Sequence, residues 1–157
     1  MKSLIVYCSN YKSNTERIAS MFAKKMKADL INIRDINYID IENYDLIGFG
    51  SGVYKETLAP QLFKLVDTLN LKNKNVFVFS TSGVGMKAYN NKLIKLLLSN
   101  GAINKGSFAC KGIFIASEFT SNKIFDIIGR LSQGHPNNKD IMKAEKFIEK
   151  LERSFKS

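Results

Sequence analysis

The chain has 157 residues, 45% of them apolar and 24% charged, which fits one domain able to bury a single core. That composition excludes a disordered tail, a collagen-like fibre and a disulfide-stapled miniprotein, and apolar runs of about four residues are far below the roughly 20 of a membrane span. Basic residues outnumber acidic ones, 24 against 14, for a formal net charge of +10; with lysines scattered beside glutamates rather than in blocks, the excess reads first as solvated helix faces.

Leu4-Ile5-Val6-Tyr7 has no polar alternation, the pattern of a strand covered on both faces. From Asn14 to Met26, Ile18, Phe22 and Met26 with Ala19 and Ala23 form one helical stripe. Leu30 to Ile33 reads as a second strand and Asp45 to Ser51 as a third. Pro60 suits the first turn of a helix continued by Leu62, Val66 and Leu69. Val76 to Phe79 is the fourth strand, and Lys87 to Leu98 a helix stopped by Asn100-Gly101. Phe108 to Ile115 reads as the fifth strand. The segment 116–133 holds at most a short helix over 124–131. Ile141, Ala144, Phe147, Ile148 and Leu151 stripe a last helix, with Asn137 as its N-cap and Asp140 in its first turn. Buried strands alternating with helices predict a single α/β domain over 1–157. Its sheet is parallel, with right-handed crossovers and helices on both faces.

Ligands of such sheets bind at the carboxyl ends of the strands. After the first strand, residues 9–15 read Ser-Asn-Tyr-Lys-Ser-Asn-Thr. Hydroxyls and amides thus crowd the positive end of a helix, where free backbone N–H groups favour a phosphate. The competing reading is an ordinary N-cap, which needs fewer polar residues than this. After the third strand, Gly50-Ser51-Gly52-Val53-Tyr54 lets backbone approach a ligand and adds a flat tyrosine; alone it would read as a turn. After the fourth, Ser80-Thr81-Ser82-Gly83-Val84-Gly85 again offers backbone donors. One phosphate cradle and two glycine-serine segments at one sheet edge suit a flat heterocycle with a phosphate tail.

These residues resemble a known family. Tyr7-x-Ser9-x5-Thr15, followed by Glu16 and Ile18-Ala19, resembles the phosphate loop of the flavodoxin family. The segments 44–51, 79–83 and 134–137 are similar to that group as well. The resemblance implies a flavodoxin-like three-layer sandwich with a five-stranded sheet in the order 2-1-3-4-5, binding FMN. It assigns the phosphate to Ser9, Tyr11, Lys12, Ser13, Asn14 and Thr15. One side of the ring falls to Ser51, Gly52, Val53 and Tyr54, with the Gly52 peptide as partner of flavin N5. Backbone groups of Thr81, Ser82, Gly83, Val84 and Gly85 would face the pyrimidine edge. Three features differ from the family: Ser13 replaces a common glycine, no aromatic lies between Thr81 and Ala88, and the chain is basic where flavodoxins are typically acidic.

The resemblance implies a low-potential electron carrier of the cytoplasm. Its alternatives are an oxidoreductase linked to a quinone or NAD(P)H, and a non-flavin interaction module of the same fold. The charge adds the expectation of a redox partner with an acidic docking face, with no nucleic-acid or membrane partner, and of a monomer or weak dimer. Met1-Lys2 runs straight into strand-like sequence with no cleavage site, and two cysteines suit a reduced compartment. A phosphoacceptor receiver would need carboxylates where Cys8-Ser9 and Gly50-Ser51 stand. A nucleotide hydrolase would need the glycines of a P-loop, and no G-x-G-x-x-G follows the first strand.

His135 is the only histidine, so no histidine-based triad or metal cluster can form. It reads as a turn residue, with a flavin-proximal or proton-donating role as the alternative. In the implied order Cys8 and Cys110 lie three strands apart, about 14 Å at ~4.8 Å per step, too far for a disulfide. Phe22, Phe63, Phe77 and Phe147 are expected in the core.

Overall fold

In the computed structural model, which describes residues 1–9, 13–113 and 123–156, the strand Ser3–Cys8 (β1) is buried along its whole length. Its side chains alternate between two cores: Leu4 and Val6 enter one, Ile5 and Tyr7 the other. That alternation is the pleat of a strand covered on both faces. Along the chain follow α1 (Asn14–Met26), β2 (Asp29–Asn32), β3 (Leu46–Tyr54), β4 (Thr57–Leu58) and α2 (Pro60–Thr68). Then come β5 (Asn75–Ser82), α3 (Asn91–Ser99), β6 (Ile103–Lys111), α4 (Lys123–Ser132) and α5 (Asn138–Arg153).

The parallel strands lie in the order β2-β1-β3-β5-β6, which is the expected 2-1-3-4-5 order when parallel strands alone are counted. The sixth strand, β4, is a short addition antiparallel to β3, pairing Val53 with Leu58 and Tyr54 with Thr57. Helices α2 and α3 bury Leu62, Val66, Leu93 and Leu97 on one face. Helices α1 and α5 bury Ile18, Phe22, Ala144 and Ile148 on the other. Among the described residues no helix is long and apolar enough to cross a membrane.

Glycines in β3 decide the packing of the second face. A Cβ on Gly48 would lie 2.4 Å from the Phe77 ring, and one on Gly50 would lie 2.0 Å from the Phe79 ring. The bare backbone therefore seats two phenyl rings. Phe22 of α1 meets Phe77, Phe79 and Phe108 edge-on at 5.8, 5.0 and 5.7 Å between centroids, the favoured arrangement for aromatic quadrupoles. Phe22 and Phe77 are fully buried, while Phe63 and Phe147 pack on the cores partly exposed.

Several boundaries differ from the sequence reading; the fourth strand, expected at 76–79, runs from Asn75 to Ser82. The strand expected at 108–115 begins five residues earlier, at Ile103, and ends at Lys111. It is an edge strand, so its first half is only partly covered and carries Asn104, Lys105 and Ser107 among apolar neighbours. A register irregularity opposite Val76 and Phe77 passes over Lys105. Of the remaining expected positions, Gly112 and Ile113 lie past the strand, and 114 and 115 lie outside the described residues. The third strand runs on to Tyr54, so residues 50–54 are strand and not loop, because β4 pairs with their end. Ile33 belongs to a tight 3-10 turn, Ile33–Asp35, and another, Lys87–Asn90, precedes α3. The helices expected at 14–26 and from 60 are found as read, and the short helix expected at 124–131 is α4.

Candidate functional site

Beta strands β1, β3 and β5 end side by side, with Cys8 opposite Ser51 and Gly52 opposite Thr81. The parallel sheet thereby gathers segments 9–15, 51–54 and 81–85 at one edge. Helix α1 starts there at Asn14, behind Ser13 in the left-handed region at φ 51°. A residue with a Cβ adopts that backbone only at a cost of about 1–2 kcal/mol. The Ser13 hydroxyl makes no capping hydrogen bond, so the residue at the cap position leaves the first amides of α1 without its side chain.

Asn14 and Thr15 are buried and tie this turn to the rest of the edge. Thr15 Oγ1 and Thr81 Oγ1 share a buried hydrogen bond of 2.9 Å. Asn14 Nδ2 donates to the Ile113 carbonyl at 3.0 Å, while its Oδ1 is buried without a partner. Beneath the turn, Tyr7 donates to Glu16 Oε1 at 3.3 Å; burial first, then the Glu16 charge, push its phenol above the ordinary value. Ser9 is half-buried just past β1, and its carbonyl accepts a long hydrogen bond of 3.5 Å from Arg34. Tyr11 and Lys12 lie outside the described residues.

The second segment divides its side chains. Ser51 is fully buried; its hydroxyl donates to the Gly52 carbonyl at 2.6 Å and accepts from the Ala59 amide at 2.9 Å. It thus anchors the start of α2, and the sheet edge receives backbone there. Val53 packs on the α2–α3 core. Tyr54 stays partly exposed with its hydroxyl beside Gly52, 2.8 Å from where a Cβ would stand. The hairpin to β4 turns through Lys55 and Glu56 at φ 48° and 63°, a two-residue turn that usually selects glycine or asparagine.

In the third segment Thr81 and Ser82 complete β5. Ser82 Oγ accepts from the Gly85 amide at 2.8 Å, closing a tight turn in which Gly85 adopts φ 68° against the backbone of Cys110 and Lys111. Gly83 is partly exposed, and Val84 stands open to solvent.

Next to this turn, a cavity of about 280 Å³ is lined by Val84, Cys110, His135 and the first turn of α5. His135 is half-buried and its Nδ1 pairs with Asp140 Oδ2. Asp140 also accepts from the Asn137 amide at 2.9 Å, and its own amide donates to Asn137 Oδ1 at 3.1 Å. The expected cap at Asn137 is therefore a complete capping box, with the histidine held by its carboxylate. Cys110 and Cys8 on β1 are buried and form no disulfide; desolvation first, then Asp140, push the Cys110 thiol up to about 12.

Comparison with known proteins decides what this edge belongs to. A flavodoxin domain model matches residues 4–111. The chain belongs to the flavodoxin family. An uncharacterized protein of Methanocaldococcus jannaschii is 39% identical to this flavodoxin domain over 153 residues, covering 96% of this chain and 98% of the relative. A flavodoxin from the domain Archaea superposes over 100% of both chains, with a TM-score of 0.70 at 15% identity. The flavodoxin of Streptococcus pneumoniae gives 0.67 at 17%, covering 97% of this chain and 99% of its own. A flavoprotein of Lactobacillus acidophilus solved in complex with FMN covers 68% of this chain and 91% of its own, with a TM-score of 0.57 at 23% identity. These structures share the fold.

Sequence reasoning missed the contact of Arg34 with the Ser9 carbonyl, because a lone arginine after a short strand carries no motif. The signal available was its place two residues beyond β2, which neighbours β1. It also missed the Lys55-Glu56 turn, since neither residue signals positive φ.

Proposed function

We propose that this flavodoxin domain binds FMN at residues 9–15, 51–54 and 81–85 and carries electrons at low potential between cytoplasmic proteins. The observation that carries the reading is the start of α1: a helix N-terminus ringed by hydroxyls whose cap residue supplies no cap. A phosphate supplies the missing acceptor oxygens and meets the positive end of the helix dipole. Asn14 Oδ1, buried and unpartnered, fits a hydroxyl donor such as those of a ribityl chain.

Bound FMN would supply the one- and two-electron chemistry, and the protein's part is to hold and shield it. Thr15 and Thr81, joined at 2.9 Å, fix the phosphate turn against the third segment. Tyr54 offers the ring face, and the Gly52 peptide offers a backbone partner to flavin N5. Gly83 to Gly85 turn their backbone toward the pyrimidine edge. The net charge of +10 favours a partner with an acidic docking face, recognised by a transfer rate that falls as salt rises.

The test is the colour of the purified protein and titration of the apoprotein with FMN. Flavin absorbance and saturable quenching of FMN fluorescence are expected. A colourless protein that ignores added FMN would reject the reading in favour of an interaction module.

A further inference from the structure

Strand register places Lys111 opposite Ser82, at the shared end of β5 and β6. The turn after β5 packs on that end: a Cβ on Gly85 would stand 3.0 Å from the Cys110 and Lys111 backbone. Beside the turn lies the cavity of about 280 Å³, which Lys111 lines together with Lys139 and Lys143 from the start of α5. Among the described residues these lysines make no ion pair and no side-chain hydrogen bond. Asp140 is the one carboxylate among the described residues lining the cavity, and it is spent on His135 and the Asn137 amide. The larger cavity of about 610 Å³, at the amino ends of β3 and β5, instead sets Asp40 and Glu42 against Lys72 and Lys74. The lining charges therefore balance in one cavity and leave the other positive.

The same turn exposes Val84 and Met86, at 37% and 49% accessibility. Apolar side chains ringed by charge are the anatomy of a protein interface. Pockets that enclose a small molecule run to about 300–1,000 Å³ and bury most of it, so this one has room for a side chain and little more. No arginine lines it to grip a phosphate by its planar fork. Flexible, hydrated ammonium groups suit carboxylates in a contact that forms and breaks quickly. We infer that the turn after β5, the end of β6 and the start of α5 form the docking surface for an acidic protein, one of whose carboxylates seats among Lys111, Lys139 and Lys143. This rests on the FMN reading, since segment 81–85 belongs both to the proposed flavin site and to this surface, and it gives the redox partner a place.

The probe is a fluorescein-labelled polyglutamate peptide, followed by anisotropy on the full chain after titration with FMN, at low and raised salt. Saturable binding that weakens with salt is expected. The double variant Lys139→Glu, Lys143→Glu should bind the peptide at least about tenfold more weakly. Both side chains are exposed, so fold and FMN affinity should be unchanged. Lys64→Glu with Lys72→Glu makes the same change in net charge elsewhere and should alter peptide affinity by about twofold at most. Equal losses in the two double variants would overturn the surface, marking a response to net charge alone. Unchanged peptide affinity in Lys139→Glu, Lys143→Glu would overturn it as well. So would displacement of the peptide by inorganic phosphate beyond that by sodium chloride of equal ionic strength, which would assign the cavity to a small anion. A wild type that binds FMN and ignores the peptide would overturn the surface and leave the FMN site standing. Peptide binding by a wild type that takes up no FMN would keep the acidic docking surface and overturn the electron-transfer reading.

Discussion

Two helices begin at the same edge of this sheet and end their N-termini in opposite ways. At α5 the chain completes its own cap: Asn137 and Asp140 exchange hydrogen bonds, and His135 closes on the carboxylate. At α1 the cap residue is Ser13, twisted to φ 51° and making no side-chain bond to the helix. Both sites carry the residue types that cap helices. One uses them on itself, and the other holds them back in a strained turn beside a buried asparagine oxygen without a partner. Withheld capping alone does not set α1 apart, since Asn90 before α3 also makes no side-chain cap; the left-handed Ser13 turn at the sheet edge does, and it is there that we propose the phosphate.

The sharpest way to break this contrast is Asn14→Asp. The carboxylate cannot donate to the Ile113 carbonyl and sets negative charge beside the proposed phosphate. FMN affinity should fall at least tenfold, about 1.4 kcal/mol, as read by fluorescence titration; unchanged affinity would place the phosphate elsewhere. A paired comparison comes next. Asn137→Ala should cost about 1 kcal/mol in urea unfolding without altering flavin binding, because it dismantles a working cap. Ser13→Ala should leave apoprotein stability nearly unchanged, because no capping bond is lost. Equal costs at the two positions would erase the distinction.

The smallest effect tests whether the α5 end is dry. The Cys110 thiol is held at about 12 against an ordinary 9.0, so the folded state keeps a proton that the unfolded chain releases. The Cys110 contribution to stability is complete below about pH 9 and is lost progressively up to about pH 12. Between pH 9 and 9.5 it should fall by about 0.4 kcal/mol, and Cys110→Ala should remove that slope from urea midpoints. A slope that persists in the variant would assign it to other groups.

Much of this was legible in the chain. The stripe of Ile18, Phe22 and Met26 placed α1 at its observed bounds, and Asn137 with Asp140 announced the cap of α5, because local periodicity and capping chemistry are read from neighbours in sequence. The edge strand β6 was read five residues late, since a half-covered strand need not be apolar. The ends of β3 were read as loop, since the pairing that makes them strand comes from Thr57 and Leu58. Ser51 illustrates the same limit within the site: its residue type suggested a ligand, but its hydroxyl is spent on Ala59 and Gly52.

By itself the sequence determined which segments are buried strands and amphipathic helices, and that three small, polar segments follow the first, third and fourth of those strands. Burial and helical period are properties of contiguous residues, so they survive without a structure. Only the tertiary structure decided which polar groups remain available at the edge. It turned Ser51 and Val53 inward, joined Thr15 to Thr81, and brought Arg34, from the turn after β2, beside Ser9. Those outcomes depend on strand register and on distances between residues far apart in the chain, where a hydrogen bond made or missed turns on a few tenths of an ångström.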